Sequence, residues 1–243
     1  MQHWALTDVG VVRAQNQDTY QIEELDRNTV LCVVCDGMGG ANSGNVASVI
    51  AADVFTREVK ETWSAKMDMQ QMELILRSAL NMANLAVYEQ ATKFEEYRGM
   101  GTTIVALLLH GKQATLLNVG DSRGYLLDDA GIIQITTDHS LVQMMIDRGE
   151  LTPEQAKVDP KKNVITRAVG TDAHIQADVF HREVKKGSNF LLCTDGLTNL
   201  VDDQEILFEV AYGENKDQCC QRLIDLAKKR GAPDNVTCLL VTV

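Results

Sequence analysis

Only three of the 243 residues are proline, and aromatic residues make up 5%. No Gly/Ser tract, low-complexity block or repeat divides the chain, so it reads as one domain, residues 1–243, with no linker. Long apolar runs are absent. The longest near the middle, Ile104 to Leu109, is far short of the roughly 20 residues that cross a bilayer. Residues 1–20 lack a basic start followed by an apolar stretch, so no secretory signal is expected. Positive charge is scarce. There are 23 Lys and Arg against 34 Asp and Glu, a net charge of −11, which argues against nucleic acid as a partner. Lys161-Lys162 and Lys228-Lys229-Arg230 are small basic groups. The second ends a helical pattern, where cations complement the helix dipole.

Cysteine use excludes further chemistry. The six cysteines stand at 32, 35, 193, 219, 220 and 238. Cys32 and Cys35 share one apolar strand pattern, and residues three apart on a strand face opposite sides. They are expected to be buried reduced thiols, which fits a cytoplasmic protein. Cys193 also lies in a strand and has no cation beside it in sequence to activate it. Other catalytic motifs fail. Asn42 stands where G-x-G-x-x-G needs its last glycine, and Asn45 replaces the lysine of a P-loop. No Cys-x5-Arg loop and no nucleophile elbow are present, and Asp138-His139-Ser140 reads as a helix N-cap rather than part of a triad.

What the chain does have is aspartate at the ends of apolar runs. Asp36 follows Val30–Cys35, Asp121 follows Gln113–Val119, and Asp195 follows Asn189–Thr194. Asp234 precedes Val236–Val243. Carboxylates in this pattern point to a hard divalent cation such as Mg2+ or Mn2+. Glycine after Asp36 and Asp195 lets backbone approach an ion closely. Asp36 is the candidate bridge between two ions, with the Gly37 carbonyl beside it and Asp195 and Asp234, together with water, completing the coordination of the first ion. Two such ions, about 4 Å apart, activate a water for in-line displacement at phosphorus. A phosphate ester also calls for a cation, and Arg13 offers a planar fork for its oxygens. Asn16 and Asp18, close by in sequence, are expected to hold Arg13 or a metal-bound water.

Periodicity supplies the frame. Strands are expected at 2–8, 19–24, 30–35, 102–109, 113–119, 123–127, 132–136, 176–183, 189–194 and 236–243. The run from 102 to 136 reads as an antiparallel meander. Helices are expected at 42–63, 69–92, 140–148, 202–212 and 216–230, with Met72, Leu76, Ala79, Leu80, Ala83 and Val87 forming one packing face. Residues 149–164 read as a polar surface loop with one helical turn. Roughly ten strands and two helix pairs imply an α+β fold with sheet packed on sheet and helices outside.

Taken in order, these motifs resemble the metal-dependent Ser/Thr protein phosphatases of type 2C, in their short bacterial form. The resemblance spans nearly the whole chain. It rests on Thr7-Asp8-Val9-Gly10 with Val12-Arg13 and Asn16-Gln17-Asp18, Val34 to Gly40, Gly101-Thr102-Thr103, Asn118 to Arg123, Ile165 to Gly170, Cys193 to Gly196, and Asp234 to Thr237. It implies a central sandwich of two antiparallel sheets flanked by helix pairs, four layers in all, with two Mn2+ or Mg2+ ions at one end. By motif, Asp36 bridges the ions, Gly37 binds through its carbonyl, and Asp195 and Asp234 hold the first ion. Asp121 with Asp195 matches a weaker third site. Arg13 binds the phosphoryl group, while Asn16, Asp18 and Asn235 support these groups. A mobile flap is implied at about 145–166. Implied partners are phosphoproteins and a cognate bacterial Ser/Thr kinase, with a monomeric enzyme. Two departures stand out. Gln17 replaces a glutamate that supports water on the second ion, and Met38 stands where eukaryotic members place a histidine acid. Competing readings are a non-catalytic module on this fold and a hydrolase of nucleotides or other small phosphoesters.

Overall fold

The computed structural model describes residues 1–39, 43–213 and 215–243. Its strands are β1 (Gln2–Asp8), β2 (Asp18–Asp26), β3 (Thr29–Met38), β4 (Gly101–Thr102), β5 (Ile104–His110), β6 (Gln113–Val119), β7 (Arg123–Asp128), β8 (Gly131–Gln134), β9 (Asp178–Glu183), β10 (Asn189–Cys193) and β11 (Val236–Thr242). Helices are α1 (Gly44–Thr62), α2 (Met69–Lys93), α3 (Leu141–Asp147), α4 (Pro153–Val158), α5 (Asp195–Thr198), α6 (Asp203–Ala211) and α7 (Cys219–Lys229). One sheet runs β1-β11-β10-β7-β8. The other runs β2-β3-β5-β6-β9, with β4 against the end of β3. Every strand pairing is antiparallel.

The two-residue period of a strand divides the core into three leaves. On β3, Leu31, Val33 and Cys35 face α1 and α2, where they meet Phe55, Met72 and Leu76. Val30, Cys32 and Val34 face the other way, into the space between the sheets, with Leu107, Phe190 and Leu239. The third leaf lies under α6 and α7, where Leu191 and Leu240 meet Ile206, Leu223 and Ile224. The result is the four-layer α+β sandwich expected from the sequence. The expected stripe on α2 is buried throughout. All six cysteines are free and buried, and Cys32 and Cys35 belong to different leaves. No helix among the described residues is long and apolar enough to cross a membrane.

Three expectations need correction. The meander from 102 to 136 is broken: β5 and β6 belong to one sheet, while β7 and β8 belong to the other. The chain crosses between sheets at Gly120-Asp121-Ser122, because β6 pairs with β9 and β7 pairs with β10. β3 does not stop at Cys35 but runs to Met38, so Asp36 lies inside a strand, opposite Asp18 on β2. The basic group at the end of α7 does more than complement the helix dipole. Lys228 Nζ donates to Asp8 Oδ2 at 2.8 Å, and Arg230 pairs with Glu205 at the start of α6. The expected start of α1 at Asn42, and Gly40 and Ala41 before it, lie outside the described residues.

Candidate metal centre

The ends of β2, β3 and β10, the β6–β7 crossover and the turn before β11 gather five aspartates. Asp36 feels, in order, Asp18, Asp195, Asp121 and Asp234. Its carboxyl pKa is pushed well above the ordinary value, first by burial and then by these four carboxylates. Burial and the nearby Asp195 and Asp234 raise Asp18 to about 7. Burial, then Asp195 and Asp138, raise Asp121 to about 8. Asp195 is raised by burial and by Asp234, and its side chain is within hydrogen-bonding reach of Asp36.

Backbone contacts explain how chain segments so distant in sequence meet here. A Cβ on Gly37 would come within 2.1 Å of the Gly44 carbonyl oxygen, and one on Gly196 within 1.9 Å of the Asn235 carbonyl oxygen. These two glycines let backbone approach backbone. Asn235 closes the gathering. Its Oδ1 accepts from Gln17 N at 2.8 Å, and its Nδ2 donates to the carbonyls of Val9 and Gln15.

Asp18 is fixed by two hydroxyls that the sequence reading gave no role. Thr194 Oγ1 and Thr237 Oγ1 both donate to its Oδ2, at 2.9 and 2.6 Å. Thr7 Oγ1 lies 2.7 Å from Thr237 Oγ1 and accepts from Asn16 Nδ2 at 2.8 Å. The signal was a threonine beside each acidic motif: Thr7-Asp8, Thr194-Asp195 and Thr237 after Asp234. Asn16 and Asp18 do not hold Arg13. Asn16 Oδ1 instead accepts from the Asp18 backbone at 3.1 Å, and Arg13 Nη2 donates to Asp234 Oδ2 at 2.8 Å. Gln17 lies over the first turn of α1, where a Cβ on Gly44 would meet its Oε1 at 2.8 Å. Met38 ends β3 and packs against Gly101.

This donor set fits a hard divalent cation. Asp18 Oδ1 and Asp121 Oδ1 are buried without a hydrogen-bond partner, and a buried acceptor left unmet is costly. Asp18 and Asp36 face each other across a strand pair, where like charges repel. The available donors are oxygens only, which suits Mg2+ or Mn2+ and not a thiolate-preferring ion. Among the described residues no three acidic, histidine or cysteine groups are already closed around one point. Beside the cluster a groove of about 630 Å3 runs from Asp121 and Asp195 between α3–α4 and the start of α6.

The chain belongs to the protein phosphatase 2C family, whose pattern matches residues 11–225. The serine/threonine phosphatase stp of Listeria monocytogenes is 36% identical over 235 residues, covering 97% of this chain and 93% of that protein. The solved serine/threonine phosphatase of S. agalactiae superposes with a TM-score of 0.93 at 32% identity, over 100% of this chain and 99% of that one. The catalytic domain of the serine/threonine protein phosphatase PstP, solved with two manganese ions, gives a TM-score of 0.84 at 33% identity, covering 98% and 96%.

Proposed function

We infer that this protein phosphatase is a metal-dependent serine/threonine phosphatase whose reaction takes place at the Asp36 cluster. The observation that carries the assignment is the position of Asp36, half-buried near the end of β3 and under the charge of four other carboxylates. Asp36, the Gly37 carbonyl, Asp195 and Asp234 would hold two Mn2+ or Mg2+ ions, with Asp36 as the candidate shared ligand. Asp121 with Asp195 would hold a weaker third. When bound, these ions lower the pKa of a water and balance the charge that builds on the phosphoryl oxygens.

The protein's own groups do the rest. Arg13 is half exposed and already reaches across to Asp234. Its fork takes two phosphoryl oxygens and aligns phosphorus for in-line attack. Asp18, held by Thr194 and Thr237, presents Oδ1 as an acceptor that orients water in the site. Asn16 and Asn235 keep the 13–18 segment and the Asp234 turn in register. Met38 has no proton to give, so the leaving alkoxide takes its proton from another donor. The groove between α3–α4 and α6 takes the chain that flanks the phosphorylated residue, and residues 145–166 act as a flap over it. The whole of 1–243 works as one catalytic domain and as a monomer in the cytoplasm, reversing the action of a Ser/Thr kinase. Six buried free thiols support that compartment.

Phosphate release from a phosphothreonine peptide and from a nucleotide, with Mn2+ and with EDTA, tests the reading. Mn2+-dependent release from the peptide is expected. Release from the nucleotide alone would point to a small-molecule hydrolase, and no release from either to a non-catalytic module.

A further inference from the structure

The motif Asp138-His139-Ser140 forms no triad, yet it is built against Asp121. Gly120 and Arg123 bracket Asp121 along the chain, and consecutive residues grip them. His139 N donates to the Gly120 carbonyl at 2.9 Å. Gly120 N donates back to His139 Nδ1 at 3.0 Å. Arg123 donates to both oxygens of Asp138, through Nε at 3.0 Å and Nη2 at 2.7 Å. Between these grips, Ser122 Oγ lies 2.7 Å from Thr103 Oγ1, which accepts from the Asp36 backbone at 2.9 Å. The same residues close the stem of the 141–166 segment. Thr166 N donates to His139 O at 2.8 Å, Leu141 N donates to Val164 O at 2.8 Å, and Ser140 bridges to Ile165.

The imidazole is set for this task. It is 7% exposed, and its pKa is lowered, chiefly by burial, so the ring is neutral. A backbone N–H can only donate, so Nδ1 is the acceptor and the hydrogen sits on Nε2. Nε2 faces Asp178 Oδ2 at 3.3 Å. Arg167 Nη1, 3.1 Å from the same nitrogen, gives its hydrogens to Asp178 Oδ1 and the Gln176 carbonyl.

We propose that His139 is a positioning residue for Asp121: its backbone N–H and Nδ1 fasten Gly120 to the stem of the 141–166 segment, so that the stem and the Asp121 carboxylate hold one fixed relation. The proposal rests on the reading of Asp121 as an ion ligand. A histidine that merely fills space would need neither the Nδ1 contact nor this tautomer.

Asparagine and glutamine separate the two cases. Asn Oδ1 can stand in for Nδ1, whereas the Gln amide extends toward the position of Nε2. The experiment compares His139→Asn, His139→Gln and His139→Leu with the parent, by amide hydrogen exchange at Gly120 and by calorimetric titration of Mn2+. His139→Asn should keep Gly120 protected and keep the Mn2+ affinities. The other two should lose protection and weaken Mn2+ binding at the weakest site about tenfold or more, the usual scale for a group that supports a ligand. Should His139→Leu fail to fold, the contrast between the two amides still decides. Equal Mn2+ affinities in His139→Asn and His139→Gln, or an unprotected Gly120 with parental Mn2+ affinity, would overturn the proposal. Asp121→Asn is run alongside. If it leaves Mn2+ titration unchanged, the assignment of Asp121 fails. If it weakens binding while all His139 variants match the parent, the clamp alone fails.

Discussion

Arg13 and Asp234 grip each other at 2.8 Å, although each is assigned a different partner in the reaction. This pairing makes Arg13→Ala informative in two directions. The kcat/KM for a phosphopeptide should fall about ten- to a hundredfold, the scale of a lost charged bidentate contact. The Mn2+ concentration for half-maximal activity should stay level or fall, because Asp234 loses a competing cation. Steady-state kinetics across a Mn2+ series measures both, and unchanged phosphopeptide kinetics would return Arg13 to the ordinary surface. Gln17 offers a gain-of-charge test. Its side chain lies over Gly44 at the N-terminus of a 19-residue helix, where negative charge is favoured. Gln17→Glu should therefore be tolerated and should tighten Mn2+ binding by added attraction. Isothermal titration showing equal affinities in the two proteins would place the side chain out of reach of the ions. That Asp36, Asp121, Asp195 and Asp234 come together was legible in the sequence, since each stands beside an apolar strand. What holds them was not, because the hydroxyls of Thr194 and Thr237 reach Asp18 across more than 170 residues of chain.

Strands and helices were legible to within a few residues wherever apolar periodicity was strong. β1 and β6 fall where the pattern places them. Two features hid from periodicity. Asp36 continues β3 because pairing with β2 and β4 satisfies the backbone there, whatever the side chain's polarity. The break in the meander depends on which sheet β7 joins, a tertiary choice that local pattern does not encode. α5 is a single turn of four residues, too short for a helical period to register. The short α4, by contrast, carries its own signal, with Thr152 capping the first turn and Gln155 reaching back. Separation of core from site gives a prediction at this scale. Phe190 on β10 is fully buried between the sheets. Phe190→Ala should cost about 3–5 kcal/mol of stability, read by denaturant unfolding, while the folded variant keeps the parental Mn2+ dependence. A shifted Mn2+ requirement with little loss of stability would contradict the picture of a site borne at the end of an independent core.

Across the whole molecule, a net charge of −11 and a half-buried acidic cluster act in the same sense: both favour cations over free carboxylates. Without bound cations the folded state holds protons that the unfolded chain releases. Asp18 is raised to about 7 and Asp121 to about 8, against an ordinary value of 3.8. Between 3.8 and these values the folded protein carries more protons, so stability falls as pH rises through that window. EDTA-treated protein should melt higher at about pH 6 than at about pH 8.5, and Mn2+ should recover the loss at the higher pH. A metal-free melting temperature that rises over the same interval would mean the carboxylates are not crowded as described. The claim on which all else depends is that Asp36 stands between two ions. Anomalous diffraction from crystals grown with Mn2+ tests it most directly. Two strong peaks are expected within coordination distance of Asp36, with Asp195 and Asp234 on the first, and loss of both in Asp36→Asn. Peaks away from Asp36, or the same two peaks undiminished in the variant, would contradict it.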